Sequence, residues 1–164
     1  MPRVNTPDTG HAGPAANGGW QWLPYTDNVL LHTLRVAMRI IDTRIKGNRP
    51  CDQAFRALPG GRTFAQVWAD PGVWVSYDPK NNGLNYGVTN FVGGKEISIT
   101  RFALRMGHWT TAATLIHELG HVNGAPGGRS HAAEGTLRHC LLPGLEDPNI
   151  LGTIQRVARG SRLA

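Results

Sequence analysis

Apolar residues recur at helical spacing near the start of the chain. Asp27 is a predicted N-cap, and the apolar stripe that follows it consists of Leu30, Leu34, Ala37, Ile41 and Ile45. Because residues three or four apart share one face of a helix, this spacing predicts an amphipathic helix over residues 29–45 that is ended by Gly47. We expect this helix to pack against a second apolar helix later in the sequence.

That second helix is predicted between Thr110 and Gly124. Thr110 and Thr111 offer hydroxyls for the N-cap. The apolar positions that follow are Ala112, Ala113, Leu115, Ile116, Leu119 and Val122. The run of glycine and proline over residues 124–128 ends the helix sharply. The pattern therefore predicts a short helix that is mostly buried.

Shorter elements are predicted around these two helices. Short helices are expected over residues 51–58 and, after an N-cap at Thr63, up to residue 68. Residues 73–77 form a strand-like run, and residues 84–92 and 95–100 alternate in polarity around a pair of glycines, which indicates a β-hairpin. A last helix is predicted over residues 147–159, with Asp147 as its N-cap.

These elements predict an α+β fold, rich in helix, with a small antiparallel sheet that precedes the second long helix. A length of 164 residues fits one domain. Residues 1–19 are rich in Pro, Gly, Asn and Ala, and we expect a flexible arm or linker there. The folded domain is then expected over residues 20–164.

Charge and hydropathy narrow the classes of partner. The formal net charge is +6, but the basic residues are scattered along the chain, so a nucleic-acid partner is not expected. No apolar run reaches the ~18–20 residues that a membrane span needs. Residues 1–7 lack the apolar region of a signal peptide, so none is expected.

The second long helix carries the run His117-Glu118-Leu119-Gly120-His121. Residues four apart lie on one face of a helix, so both imidazoles can bind the same metal ion. Glu118 follows the first ligand directly and can reach a water molecule beside the metal as a general base. The spacing therefore predicts a zinc site that activates water for hydrolysis.

Residues 114–124 read Thr-Leu-Ile-His-Glu-Leu-Gly-His-Val-Asn-Gly, and this run resembles the active-site helix of the zincin metallopeptidases. The chain departs from both large branches of that clan. Gly127 stands where metzincins have their third ligand, and Glu134 comes earlier than the glutamate ligand of the larger gluzincins. The chain also looks like the small metallopeptidase domains at the ends of bacterial polymorphic toxins and secretion-system effectors.

The resemblance implies several properties as expectations. The fold would be zincin-like, the cofactor Zn²⁺, and the substrate a protein or peptide aligned by an edge strand of the sheet. An inhibitor or immunity protein would be a second partner. The protein would be exported by a signal-independent system or as part of a larger polypeptide.

The residues leave the third zinc ligand open. His131 follows the Gly-rich turn, and a helix that begins at Ser130 would bring it back near the first two ligands. Imidazole would complete the three-ligand arrangement of catalytic zinc. Glu134 is the alternative, either as the ligand itself or as a carboxylate that orients His131. His139 and Asp147 are further alternatives.

The predicted function is hydrolysis of peptide bonds, with His117, His121 and His131 on zinc and Glu118 as the base. Two other functions fit the same ligands: a metal-dependent amidase or deacylase that acts on non-protein amides, and a non-catalytic binding module with a structural zinc. The group that would stabilise the oxyanion stays open among the residues with suitable donors, which are Tyr77, Tyr86, His108, Arg138 and His139.

Cys51 and Cys140 are the two cysteines, and neither has the spacing of a zinc motif. We predict that they form a disulfide, which would close a loop of about 90 residues and hold the helix of His131 and Glu134 against the domain. The alternative is two free, buried thiols.

Overall fold

The computed structural model of the chain describes residues 1–82, 85–127 and 131–141. These residues form helices and one sheet around a shared hydrophobic core. The helices are α1 (Asn28–Ile40), α2 (Arg49–Arg56), α3 (Phe64–Trp68), α4 (Arg101–Arg105), α5 (His108–Val122) and α6 (Ala132–Leu141). The strands are β1 (Arg3–Val4), β2 (Trp74–Asp78), β3 (Gly87–Thr89) and β4 (Glu96–Thr100).

The mixed α and β class is confirmed, but the expectation of an antiparallel sheet is wrong for most of the sheet. The strand order is β1-β2-β4-β3. Only β3 and β4 are antiparallel, as the hairpin signal predicts, whereas β1 and β4 both run parallel to β2. The connection from Asp78 to Glu96 contains β3 and reverses the chain twice, which lets β4 return parallel to β2.

Some of residues 1–19, where we predicted a flexible arm or linker, lie against the sheet. The backbone N–H groups of Arg3 and Asn5 donate to the carbonyls of Val73, just before β2, and Val75, within it, at 2.8 and 2.9 Å. Asn5 is buried, and its side-chain amide donates to the Ser76 hydroxyl at 3.1 Å. His11 stacks on Trp74 with ring centroids 3.8 Å apart. Although the composition of this segment is typical of linkers, Arg3 and Asn5 pair with the edge of the sheet.

Two predicted helix starts are confirmed by side-chain caps. The Asp27 carboxylate accepts hydrogen bonds from the backbone N–H groups of Val29 and Leu30, which begins α1. Thr63 caps α3 and accepts from the backbone N–H of Gln66. The first helix ends earlier than residue 45, because Ile41–Ile45 continue as a π-helical turn.

The start of α5 differs from the prediction. The helix begins at His108, after Gly107 at φ +106°, so Thr110 and Thr111 lie inside its first turn. The Thr111 hydroxyl donates to the Gly107 carbonyl at 3.0 Å, one turn back along the helix. Thr111 therefore bonds a carbonyl rather than a free N–H group of the helix, and the buried Thr110 hydroxyl has no partner among the described residues. The helix predicted over residues 147–159 lies outside the described residues.

The helix α5 lies at the centre of the molecule. It contacts α1, α4, α6, β3 and β4, so helices and sheet surround it. The largest fully buried side chains include Leu115, Ile116 and Leu119 from α5 and Ile97 and Ile99 from β4. Among the described helices, none is long and apolar enough to cross a membrane.

Candidate metal centre

Along most of α5, two histidines are the residues that solvent can reach. From Thr110 to Val122 every residue is buried except His117 and His121, which are partly exposed. Because the two residues are four apart, they share one face, and that face is the part of the helix that its neighbours leave uncovered. The burial pattern thus isolates the two predicted metal ligands together.

The imidazoles of the pair face each other through their Nε2 atoms, which are 3.1 Å apart. The Nδ1 atom of His121 lies 2.8 Å from the backbone carbonyl of Ala125. A carbonyl oxygen only accepts, so Nδ1 carries the proton, and the lone pair of neutral His121 is on Nε2. Gly124, at φ +86°, turns the chain after α5 and places this carbonyl.

Glu118 lies between the two histidines in sequence and is only 4% exposed. Its Oε2 accepts a hydrogen bond from the Thr89 hydroxyl at 2.8 Å, and the same hydroxyl lies 3.1 Å from the Glu118 backbone carbonyl. Burial raises the pKa of Glu118 to about 7, although the hydrogen bonds from Thr89 act to lower it. A carboxyl with such a pKa is suited to exchange protons near neutral pH.

This pKa predicts a pH-dependent stability of the metal-free protein. The folded state raises the pKa of Glu118 from 4.5 to about 7, so folding favours the protonated form. The stability that this group contributes is fully present below pH 4.5 and is lost as the pH rises through about 7. The variant Glu118→Gln does not titrate. Its free energy of unfolding relative to wild type should therefore rise by about 2 to 3 kcal/mol between pH 5 and 8.

Urea unfolding of both metal-free proteins at the two pH values measures this difference. Burial lowers the pKa of His117 to about 4. Because His117 is present in both proteins, its contribution cancels in the difference between their free energies of unfolding. A difference that does not change with pH would contradict the prediction.

Strand β3 and the turn after it run along α5. A Cβ atom on Gly87 would lie 2.8 Å from the Thr114 Cγ2 and 3.2 Å from the Glu118 Cγ, so glycine permits this close approach. Thr89 bonds Glu118, and the backbone N–H of Gly93 donates to the His121 carbonyl at 2.8 Å. The hairpin therefore follows the helix from one turn before the histidines to the second histidine.

One edge of β3 carries no strand in the described part of the chain, because β3 ends the strand order. Tyr86 and Asn90 make backbone hydrogen bonds toward β4. Alternate residues of an antiparallel strand bond the same neighbour. The backbone N–H and C=O groups of Gly87 and Thr89 consequently point away from β4 to the free edge, where the Thr89 N–H is directed at the Glu118 carboxyl.

The structure brings Glu134 close to one histidine of the pair. The Oε1 atom of Glu134 lies 3.9 Å from the His117 Nδ1. Its Oε2 is buried and has no hydrogen-bond partner among the residues that the structure describes. His131 is exposed just before α6. Within the described ranges, no three His, Cys, Asp or Glu side chains form a ready-made metal group, so neither residue completes a ligand set as it stands.

Two features position α6 and its glutamate. A Cβ atom on Gly120 would lie 3.3 Å from the Ala133 Cβ, so the glycine lets α6 approach α5 closely. At the other end of α6, Cys140 forms a disulfide with Cys51 on α2. Ser130, the predicted N-cap of this helix, and Asp147, an alternative ligand, lie outside the described residues.

The five residues that could stabilise an oxyanion either pack against other aromatic side chains or are partly or fully exposed. Tyr77 packs against Tyr25, and Tyr86 packs against Phe102. The remaining candidates are His108, which is partly exposed, and Arg138 and His139, which are exposed on α6. In the described residues, no hydrogen bond joins any of these five to Glu118 or the histidine pair.

Sequence reasoning missed Thr89 and Ala125, which orient Glu118 and His121. Neither residue type is distinctive, and both contacts depend on where β3 and the turn after α5 lie in space. In comparisons with known proteins, the chain matches no protein-family model, no curated protein and no solved structure.

Proposed function

We propose that this chain is a zinc-dependent peptidase of zincin-like type. The observation that carries the proposal is the surface of α5, a helix buried almost throughout that opens to solvent at His117 and His121. A buried carboxylate with a raised pKa, Glu118, is directly beside them in sequence. Two histidines and one base on a single turn suit metal-assisted hydrolysis.

The histidine pair fits a zinc ion. Two nitrogens that bind one tetrahedral zinc at about 2.0–2.1 Å lie about 3.3 Å apart, and the two Nε2 atoms here are 3.1 Å apart. The carbonyl of Ala125 fixes the tautomer of His121 that exposes its Nε2 lone pair. Glu134 is the candidate third ligand: its Oε2 is buried without a partner among the described residues, and its Oε1 lies 3.9 Å from the His117 Nδ1, so its carboxylate would turn toward the Nε2 side to reach the zinc.

His117, His121 and Glu134 would hold the zinc, and Glu118 would act as the general base. Zinc bound there would polarise the substrate carbonyl and lower the pKa of a water molecule next to it. Glu118 would take a proton from that water and deliver it to the leaving amine. Thr89 would hold the Glu118 carboxylate in position throughout, through its hydrogen bond to Oε2.

The free edge of β3 favours a peptide substrate over a small amide. The backbone groups of Gly87 and the carbonyl of Thr89 can pair with an extended segment, which adds a strand to the sheet. Because Thr89 also bonds Glu118, a segment paired there would pass directly over the base. A small amide would leave these backbone groups unused.

The zinc content of the purified protein tests this proposal. We expect about one zinc per chain, because three protein ligands and one open position are typical of catalytic zinc. Glu134→Ala should weaken zinc binding by more than about 100-fold, beyond the 10- to 100-fold typical of a residue that only orients a ligand. His117→Ala should abolish binding. His131→Ala is the matched control and should leave zinc affinity unchanged.

Elemental analysis and competition with a chelator measure these values. Absence of zinc after reconstitution would contradict the proposed function. Loss of zinc in His131→Ala but not in Glu134→Ala would move the third ligand to His131. Cleavage of small N-acyl amides without any cleavage of peptides would replace the peptidase with an amidase.

A further inference from the structure

Phe91 and Val92 are an exposed apolar pair at the end of the β3–β4 hairpin. Their exposed fractions are 65% and 51%. The other large exposed apolar residues in the described chain are Met1, Leu23 and Val29, which are separate in sequence from one another. We call Phe91 and Val92 the apolar tip. Exposed apolar surface of this kind is unfavourable in water and is typical of a binding surface when it lies beside a site.

The apolar tip is held in a defined turn. The backbone N–H of Gly94 donates to the Phe91 carbonyl at 2.8 Å, which closes the turn. The next residue back, Gly93, donates to the His121 carbonyl, also at 2.8 Å. The turn is therefore bonded directly to the end of α5 that carries the second predicted zinc ligand.

The apolar tip also continues the free edge that would receive a peptide. Thr89, which holds Glu118, is two residues before Phe91. Phe91 lies in the turn that directly follows the end of β3. A peptide segment paired with β3 would leave the strand over this surface.

We propose that the apolar tip binds a large apolar side chain of an extended peptide substrate. This inference rests on the proposed function and names the class of peptide that the site accepts. Because the apolar tip follows Thr89 by two and three residues, we place the recognised side chain two or three residues from the scissile bond, on the side that lies toward the hairpin turn. The site is then selective for unfolded or extended segments with a large aliphatic or aromatic residue at that position.

The experiment has two stages. First, the zinc-loaded protein digests a library of tryptic peptides from bacterial protein, and mass spectrometry identifies the cleavage sites. Second, two synthetic peptides are made from the best site, one with leucine and one with serine at the preferred apolar position. We expect kcat/KM to be about tenfold or more higher for the leucine peptide, as for other apolar contacts between substrate and enzyme.

The double variant Phe91→Ser with Val92→Ser should bring that ratio close to one, mainly by lowering kcat/KM for the leucine peptide. Val29→Ser removes an equally exposed apolar side chain from α1 and should preserve the ratio. Zinc content should be unchanged in both proteins. A purely structural role of the turn would lower kcat/KM for both peptides equally and leave the ratio intact, which would overturn the inference.

The outcomes separate this inference from the function on which it rests. If both wild type and the double variant cleave peptides with the same ratio of kcat/KM between the leucine and serine peptides, only the role of the apolar tip is overturned. Cleavage sites with no apolar preference two or three residues from the scissile bond do the same. Absence of all peptide cleavage by the zinc-loaded protein overturns the proposed function, and the inference with it.

Discussion

Replacement of Glu118 by glutamine will lower kcat/KM for peptide cleavage by about 10²- to 10⁴-fold while zinc stays bound, if Glu118 is the general base. Glutamine has nearly the same shape and can still accept the hydrogen bond from the Thr89 hydroxyl. It cannot take a proton from water. The variant therefore removes the proton transfer and preserves the buried contacts of the side chain.

Kinetics on a peptide from the digested library, together with zinc analysis of the same sample, measure this effect. Glu96→Gln is the matched control, because Glu96 is a partly buried glutamate on β4 that contacts His11 rather than α5. Its kcat/KM should equal that of wild type. Full activity in Glu118→Gln would exclude the proposed mechanism even if zinc were present.

Removal of the disulfide between Cys51 and Cys140 will have the largest effect on stability. The cysteines are 89 positions apart, and closing a loop of this length restricts the unfolded chain. Chain-entropy arguments give a loss of about 4 to 5 kcal/mol for Cys51→Ala with Cys140→Ala. Zinc affinity should fall as well, since the disulfide holds the end of the helix that carries Glu134.

Urea unfolding with and without a phosphine reductant measures the loss of stability. Wild type should lose stability when it is reduced, whereas the double alanine variant, which has no thiols, should be insensitive to the reductant. Equal stability of oxidised and reduced wild type would contradict the prediction. Zinc titration of the same four samples shows whether α6 must be held for the metal to bind.

The sequence predicts most reliably those features that depend on neighbours in the chain. The apolar spacing of α5, the Asp27 cap of α1 and the Thr63 cap of α3 are local signals, and the structure confirms each of them. The predicted start of α5 was wrong by a few residues, because Gly107 turns the chain directly from α4 into α5. Threonine inside a first turn and threonine at an N-cap look alike in a sequence.

Features that depend on distant segments were not predictable in the same way. Strand β1 has only two residues, and it exists because β2 offers a free edge beside them. The approach of Glu134 to His117 depends on how α6 packs against Gly120, which no local pattern encodes. Of the candidate site, the residues on α5 were therefore predictable, and those that orient them from β3 and from the turn after α5 were not.

The hydrogen bond from Thr89 to Glu118 connects the edge of the sheet to the helix α5. Thr89 belongs to the edge of the sheet, while Glu118 belongs to the buried helix. Any displacement of the edge strand therefore moves the carboxylate, and a ligand that straightens or tightens the strand changes the orientation of the base before any chemistry begins. If the proposed function is right, substrate docking and alignment of the base would be mechanically coupled through Thr89.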